Sequence, residues 1–421
     1  MDVVPADAVV GYVALGELSL DGGINRVSGI LAAALGAAGT GRGIICPESS
    51  GGEAAWAGGI EVLAPASLLA LINHFRGSQV LGAPKARMET DDAPAPDLRE
   101  IKGQETAKRA LEITAAGGHN LLLIGPPGSG KSMLAARRPG LLLSPAEALK
   151  ITMIHSVAGV LEGGRLMRRR PFRDPHQTAS LPALVGGGMK ARPGEISLAN
   201  NGVLFLDELP EFNRAALEGL RQPLESGRAI IARANHHVAY PALIQLVAAM
   251  NPCRCGYLDD PALACSRAPR CAADYQSRIF GPLFDRIDLH VEVPSVNPAD
   301  LALSPPAEGT AEIATRVAAA RDIQTARYAQ CTEQGDRPVR VNAEADGEIL
   351  ETIAAPDAKG RALLVEAAER MHLSARGYHR VLRVARALAD LEAAETITGL
   401  HIAEAPSYRR AMPGRYTNLH G

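Results

Sequence analysis

The first eighty residues alternate short apolar runs with glycine-rich turns. VVGYVALGEL and RGIICP read as strands. Residues 26–38 and 66–75 read as helices, so residues 1–81 are expected to form a small α/β unit. Residues 82–98 carry Pro84, Pro94 and Pro96 without apolar periodicity and read as a linker. Beyond it the pattern changes. A helix is expected over 104–116, closed by Gly117 and Gly118. Continuous apolar runs at 120–124, 203–206, 243–250 and 289–293 read as buried strands. Helices between buried strands imply a parallel sheet with crossover connections, here over residues 99–300. A long helix is expected over 310–330. Residues 342–405 read as helical throughout, in segments 345–354, 359–371 and 374–395, within a helical lid domain 301–421. The last sixteen residues, with Pro406 and Pro413, are expected to fray.

Bulk properties narrow the class. A chain of 421 residues has room for two or three domains. Its 47% apolar content argues against disorder. The net charge of −2 means that any nucleic-acid contact must come from local patches. No run of eighteen residues is apolar and free of breaks, so no membrane span is expected. The start, MDVVPADAVVGYVALGEL, lacks a basic opening and a long apolar stretch, so it does not read as a signal peptide. The cytoplasm is the expected compartment. Cys46 and Cys331 stand alone, while Cys253, Cys255, Cys265 and Cys271 lie close together. In a reducing compartment such clustering points to metal before disulfides.

The sharpest chemical signal is GPPGSGKS, from Gly125 through Pro126, Pro127, Gly128, Ser129 and Gly130 to Lys131 and Ser132. It fits G-x-x-x-x-G-K-[ST] between an apolar strand and a helix, as a phosphate loop requires. Glycines let backbone N–H groups wrap phosphates, and the helix start adds a positive dipole end. Lys131 can reach the outer phosphates of ATP, and Ser132 can ligate Mg²⁺. GVLFLDELPEF then puts Asp207 and Glu208 at the end of an apolar strand, where ligands bind in open parallel sheets. Alone, such a pair is more often a solvated strand end. Beside a phosphate loop, Asp207 suits the Mg²⁺ water shell and Glu208 suits a general base.

Asn251, ending VAAMN, could orient the attacking water or simply cap the turn before Pro252. Arg286 could stabilise phosphoryl charge, often across a subunit interface, or pair with Asp285 or Asp288. Arg376 opens a helix of the lid. It could touch the γ-phosphate, or belong to a solvated face with Arg380, Arg383 and Arg386.

Together IKGQETAKRALEITAAGGHNLLLIGPPGSGKSMLA, RPFRDPHQTAS, GEISLANNGVLFLDELPEF, MNPCRCGY and SRIFGPLFDRIDLHVEVP resemble the ComM/YifB family of magnesium-chelatase-like AAA+ ATPases. The resemblance is dense over 99–298 and looser through the lid. It implies a hexameric ring with Glu208 as Walker B base, Asn251 as sensor 1, Arg286 as arginine finger and Arg376 as sensor 2. It also implies a role in DNA branch migration during natural transformation. The magnesium-chelatase branch instead inserts Mg²⁺ into protoporphyrin with two further subunits. The family's N-terminal domain is similar to the Lon protease domain. Here GELSLDGGINRVSGILAAA resembles its second half alone, with Asn25 in the place of Lon's catalytic lysine, so no peptidase activity is expected. Pro406 stands where the family runs a helix, and Gln177 where a second histidine is common.

Two more groups carry candidate chemistry. Cys253, Cys255, Cys265 and Cys271 could hold a structural Zn²⁺, or be reduced cysteines of a surface hairpin. Arg165, Arg168, Arg169, Arg170 and Arg173, with His155 and His176, lie among glycine-punctuated segments read as hairpins. Arginines lining a ring would contact DNA phosphates without reading sequence. A solvated, internally paired charge run is the bland alternative. The expectations are an ATP-driven ring acting on DNA, a chelatase-type ATPase that remodels a protein partner without DNA, or a truncated chain that binds ATP without assembling.

Overall fold

The computed structural model describes residues 4, 6–90, 96–138, 140–161, 163–233, 236–258, 265–268, 270–279, 281–296, 299, 302, 306, 308–330 and 339–409. Cys331 and Pro413 lie outside them.

The first unit is a three-stranded parallel sheet in the order β1 (Tyr12–Ala14), β2 (Gly43–Ile45), β3 (Val62–Leu63). Helix α1 (Ile30–Gly39) covers it, packing Ile30, Ala34 and Ala37 against Ile44 and Cys46. The helix expected from residue 26 starts four residues later because Gly29 takes φ +86°, outside the helical region. Helix α2 (Leu68–Phe75) is capped by Ser67 Oγ, which accepts from Ala70 N at 3.2 Å. The long strand expected over VVGYVALGEL is cut in two. Glu17–Leu18 pairs antiparallel with Ile24–Asn25, leaving Asn25 exposed.

The expected linker is docked at both described ends. Trp56 Nε1 donates to Arg87 O at 3.2 Å, and Thr310 N donates to Asp97 Oδ1 at 2.8 Å. The buried carboxylate of Glu53 joins the first unit to the second: it accepts from Leu31 N at 3.0 Å and from Ser156 Oγ.

The second unit is built on β4 (Leu121–Ile124), β5 (Phe172–Arg173), β6 (Val203–Leu206), the ribbon β7 (Arg228–Arg233) and β8 (His236–Pro241), β9 (Gln245–Met250) and β10 (Leu289–Glu292). Five strands form one parallel sheet in the order β10-β4-β9-β6-β5. The continuous apolar runs follow from burial on both faces. Leu121, Leu123, Phe205, Val247 and Val291 point to one side; Leu122, Leu204, Leu206, Leu246 and Ala248 point to the other. Strand β9 begins at Gln245 rather than 243. Leu243 is held in a turn instead, accepting from Asn201 N at 2.7 Å and donating to Asn200 Oδ1 at 2.9 Å.

Helices α3 (Glu105–Gly117), α4 (Lys131–Ala136), α5 (Pro145–Ala158), α6 (Thr310–Ala329), α7 (Ala358–Arg370), α8 (Ala375–Leu391) and α9 (Gly399–Glu404) surround the sheet. The lid is not helical throughout. His372 at φ 47° precedes α8, and Ala393 at φ 52° follows it. Nor do residues 406–409 fray. A 3₁₀ turn, Ala405–Tyr408, continues from α9, and Tyr408 is buried with its OH donating to Glu404 Oε1 at 2.9 Å. Helices α3, α6 and α8 share one apolar core with the first face of the sheet.

Candidate nucleotide site

Strands β4, β9 and β6 are parallel neighbours, so their C-terminal tips lie side by side. Gly125 N donates to Met250 O at 3.2 Å, which ties the phosphate loop to the end of β9. Gly125 has no room for a side chain, since an added Cβ would stand 2.0 Å from Val293 O. Gly128 (φ +75°) and Gly130 (φ +90°) are left-handed and would meet nothing within 4 Å. The loop therefore arches over open space, with α4 starting behind it and no side chain capping its first N–H groups.

Residues distant along the chain meet at this point. Lys131 Nζ donates to Gly125 O and Pro126 O, each at 2.8 Å, and to Asn251 Oδ1 at 3.2 Å. Ser132 Oγ donates to Asp207 Oδ2 at 2.6 Å. Asp207 Oδ1 accepts from Glu208 N at 2.9 Å. Burial lowers the Lys131 ammonium from its ordinary value, against the opposing pull of Asp207 and Glu208. Glu208 is exposed and left-handed (φ 51°, ψ 47°), a costly backbone for a residue with a side chain.

This donor set fits a magnesium nucleotide. An ammonium held by its own loop's carbonyls, a longer bond to Ser129 Oγ at 3.5 Å and the Asn251 amide can exchange those bonds for phosphate oxygens. A hydroxyl and a carboxylate already in contact are the oxygen ligands that Mg²⁺ takes.

Arg286 lies elsewhere. Asn120, at the N-terminal end of β4, donates Nδ2 to Arg286 O at 2.9 Å, so Arg286 sits at the sheet edge opposite the phosphate loop. Its guanidinium pairs with Glu225. Burial, then the charges of Arg221, Arg376 and Arg380, lowers it from its ordinary value. Arg376, exposed on the first turn of α8, thus stands within electrostatic reach of Arg286. The exposed position of Arg376 suits either the γ-phosphate contact or the solvated helix face expected from the sequence.

The cysteines do converge. The sulfurs of Cys253, Cys255 and Cys271 all lie within 4.8 Å of one another, and Cys265 packs against them. A hydrogen bond from Cys253, with backbone N–H groups, brings the Cys255 thiol down to about 6. Burial instead pushes Cys253 up and Cys271 up to about 12, so in the metal-free cluster the lowered thiol is Cys255, and zinc would have to displace the protons of the other two. The same segment touches the phosphate loop: a Cβ on Gly256 would stand 2.4 Å from Pro127 Cδ.

The arginine-rich stretch is only partly available. Arg170 holds Glu147 and donates to Asn201 O at 2.8 Å, and Arg173 holds Glu195 at 2.6 and 2.9 Å. His155 is buried, with Nε2 3.0 Å from Leu198 O. His176 is exposed and bonds Thr178 Oγ1 at 2.8 Å, while Gln177 Oε1 is buried without a partner. Arg165 and Arg168 remain exposed. The sequence reading passed over Lys190 and Arg192, exposed on a short hairpin in which Gly186–Gly187 pairs with Arg192–Pro193. GGGMKARPG was the signal that could have found them.

Two family descriptions match the chain: magnesium chelatase, subunit ChlI, over residues 97–301, and the ChlI C-terminal domain over 307–409. The chain is 41% identical to YifB of Escherichia coli K12, over 94% of its own length and 77% of that protein. It is 39% identical to the competence protein ComM of Haemophilus influenzae, over 93% and 76%. Similarity to the magnesium-chelatase 38 kDa subunit of Rhodobacter capsulatus is 31% over 36% of the chain and 49% of that subunit. With the five-stranded parallel sheet and the helices behind it, these matches identify the chain as a member of the ComM/YifB family of magnesium-chelatase-like AAA+ proteins.

Proposed function

We propose that the chain is an ATP-hydrolysing ring motor acting on DNA. The observation that carries this reading is the meeting of Lys131, Ser132, Asp207 and Asn251 at the tips of three adjacent strands. Backbone N–H groups of the loop and Lys131 hold the triphosphate. Ser132 and Asp207 hold Mg²⁺, which when bound neutralises phosphate charge. Glu208 takes a proton from the attacking water, and Asn251 orients that water. Arg286, beside Asn120 at the far end of β4 from its own loop, serves the nucleotide of the neighbouring copy, and Arg376 acts on the γ-phosphate as sensor 2, so the active form is a homo-oligomer, a hexamer by resemblance. Exposed Arg165, Arg168, Lys190 and Arg192 supply the phosphate contacts. Among the described residues no helix is long and apolar enough to cross a membrane.

The test is ATP turnover with and without single-stranded and branched DNA. Stimulation by DNA that weakens as salt rises is expected. Turnover indifferent to DNA, with no DNA binding, would favour a chelatase-type ATPase that remodels a protein partner. The internal pairing of Arg170 and Arg173 with glutamates is the observation that keeps this second reading alive.

The four cysteines supply a structural zinc site in this reading. Purified protein should carry about one zinc per chain. Cys255→Ser should release it, lower the melting temperature by about 2–4 °C for each kcal/mol lost, and weaken ATP binding through the contact of Gly256 with Pro127. Zinc-free wild-type protein with unchanged ATP affinity would remove the site.

A further inference from the structure

A cavity of about 1030 Å³ runs across the N-terminal ends of the parallel strands, on the sheet edge opposite the phosphate loop. Asn120 and Gln245, at the starts of β4 and β9, form part of its wall. Arg138, Arg170 and Arg321 line it together. Arg170 is matched by Glu147. The other two form no salt bridge with a carboxylate among the described residues. Arg321 donates Nε and Nη2 to Ala115 O at 3.0 and 2.8 Å and forms no ion pair among the described residues. Arg138 Nε is shielded from solvent and has no hydrogen-bond partner among the described residues.

Most acids elsewhere on the wall are engaged: Glu225 with Arg286, Asp288 with Arg380, Glu344 with Arg340, and Asp346 with Arg383. Asp322 lines the wall and forms no ion pair among the described residues, its neighbour Arg321 included. Burial, then Arg321 and Arg170, pushes Arg138 down to about 9. Burial, then Arg170, pushes Arg321 down to about 10. A guanidinium keeps its proton in proteins, so the fold bears two repelling cations without a salt bridge among the described residues, Arg321 being offset only in part by the more distant Glu344 and Glu147. An oxyanion would compensate both. Guanidinium forks match phosphate oxygens in pairs, and the cavity has the size of a small-ligand site.

We propose that this cavity is a phosphate-binding site separate from the phosphate loop, in which Arg138 and Arg321 grip an oxyanion of a small phosphorylated ligand or of a nucleic-acid backbone. The probe is inorganic pyrophosphate, measured by equilibrium dialysis on the full chain with its phosphate loop saturated by Mg–ADP. Wild type should bind about one pyrophosphate per chain. Arg138→Gln and Arg321→Gln should each weaken that binding at least about tenfold, as expected for a charge-assisted phosphate contact, and leave ADP affinity unchanged. Arg87→Gln, at an exposed position, should bind as wild type does.

Thermal melting keeps the test independent of folding losses. Pyrophosphate should raise the melting temperature of wild type and not of the glutamine variants. Without ligand, Arg138→Gln should melt no lower than wild type, because it removes an uncompensated charge. A short single-stranded oligonucleotide that displaces pyrophosphate would identify a nucleic-acid backbone as the source; failure to displace it would identify a small ligand. Wild type that ignores pyrophosphate, equal binding by wild type and both glutamine variants, or an unliganded Arg138→Gln that melts lower would each overturn the proposal.

Discussion

Glu208→Gln is expected to lower ATP turnover by about 10²–10⁴-fold, the usual worth of a positioned general base, while ATP still binds. The glutamine keeps the size and shape of the side chain and removes only its capacity to take a proton. The groups that would hold the nucleotide are left alone: Lys131 on its loop, and Ser132 on Asp207. Glu208 touches neither hydrogen bond, and its left-handed backbone follows directly on Asp207. The measurement is steady-state phosphate release beside equilibrium binding of a fluorescent ATP analogue. A variant that turns over ATP at the wild-type rate would remove Glu208 from the chemistry. One that loses binding as well would make it a nucleotide-holding group.

Arg286→Ala should cost about 10³-fold or more in turnover, the lower end for an arginine finger, yet leave the variant's own ATP affinity intact. The reason is position. Arg286 lies beside Asn120, and Asn120 is separated from Gly125 by the whole of β4, roughly 15 Å of strand. It does not lie beside the loop of its own chain, so in the proposed ring it would act on the nucleotide of another copy. A mixing experiment follows. Arg286→Ala chains retain Glu208, and Glu208→Gln chains retain Arg286. Each preparation alone should be nearly inactive, while a mixture should regain activity wherever an intact Glu208 faces an intact Arg286. A mixture as inactive as its components would sink the shared-site arrangement.

The strands of the nucleotide site were legible because burial on both faces leaves an uninterrupted apolar run, as in Leu121–Ile124 and Val203–Leu206. The phosphate loop was legible because its glycines answer a backbone demand that few sequences meet. Strand β5 was not: Phe172–Arg173 has two residues and joins the sheet only because β6 offers an edge. The ribbon β7–β8 went unread although buried Ala229 and Ile231 alternate with exposed Arg228, Ile230 and Ala232. Period-two alternation over so few residues carries little weight until a partner strand is known. The placing of Arg376 was out of reach for another reason. A helix's sequence gives its buried face but not which edge of a distant sheet its first turn will approach.

Helices α6 and α8 bury their apolar faces in the same interior as α3 and one side of the parallel sheet. On the polar side the cavity of about 1030 Å³ separates Asn120 and Gln245 of the sheet from Arg321, Arg380 and Arg383 of those helices. Among the described residues the lid is therefore joined to the sheet by oil and parted from it by water. A group that filled the wet half would couple lid and sheet more tightly than the apolar half does alone.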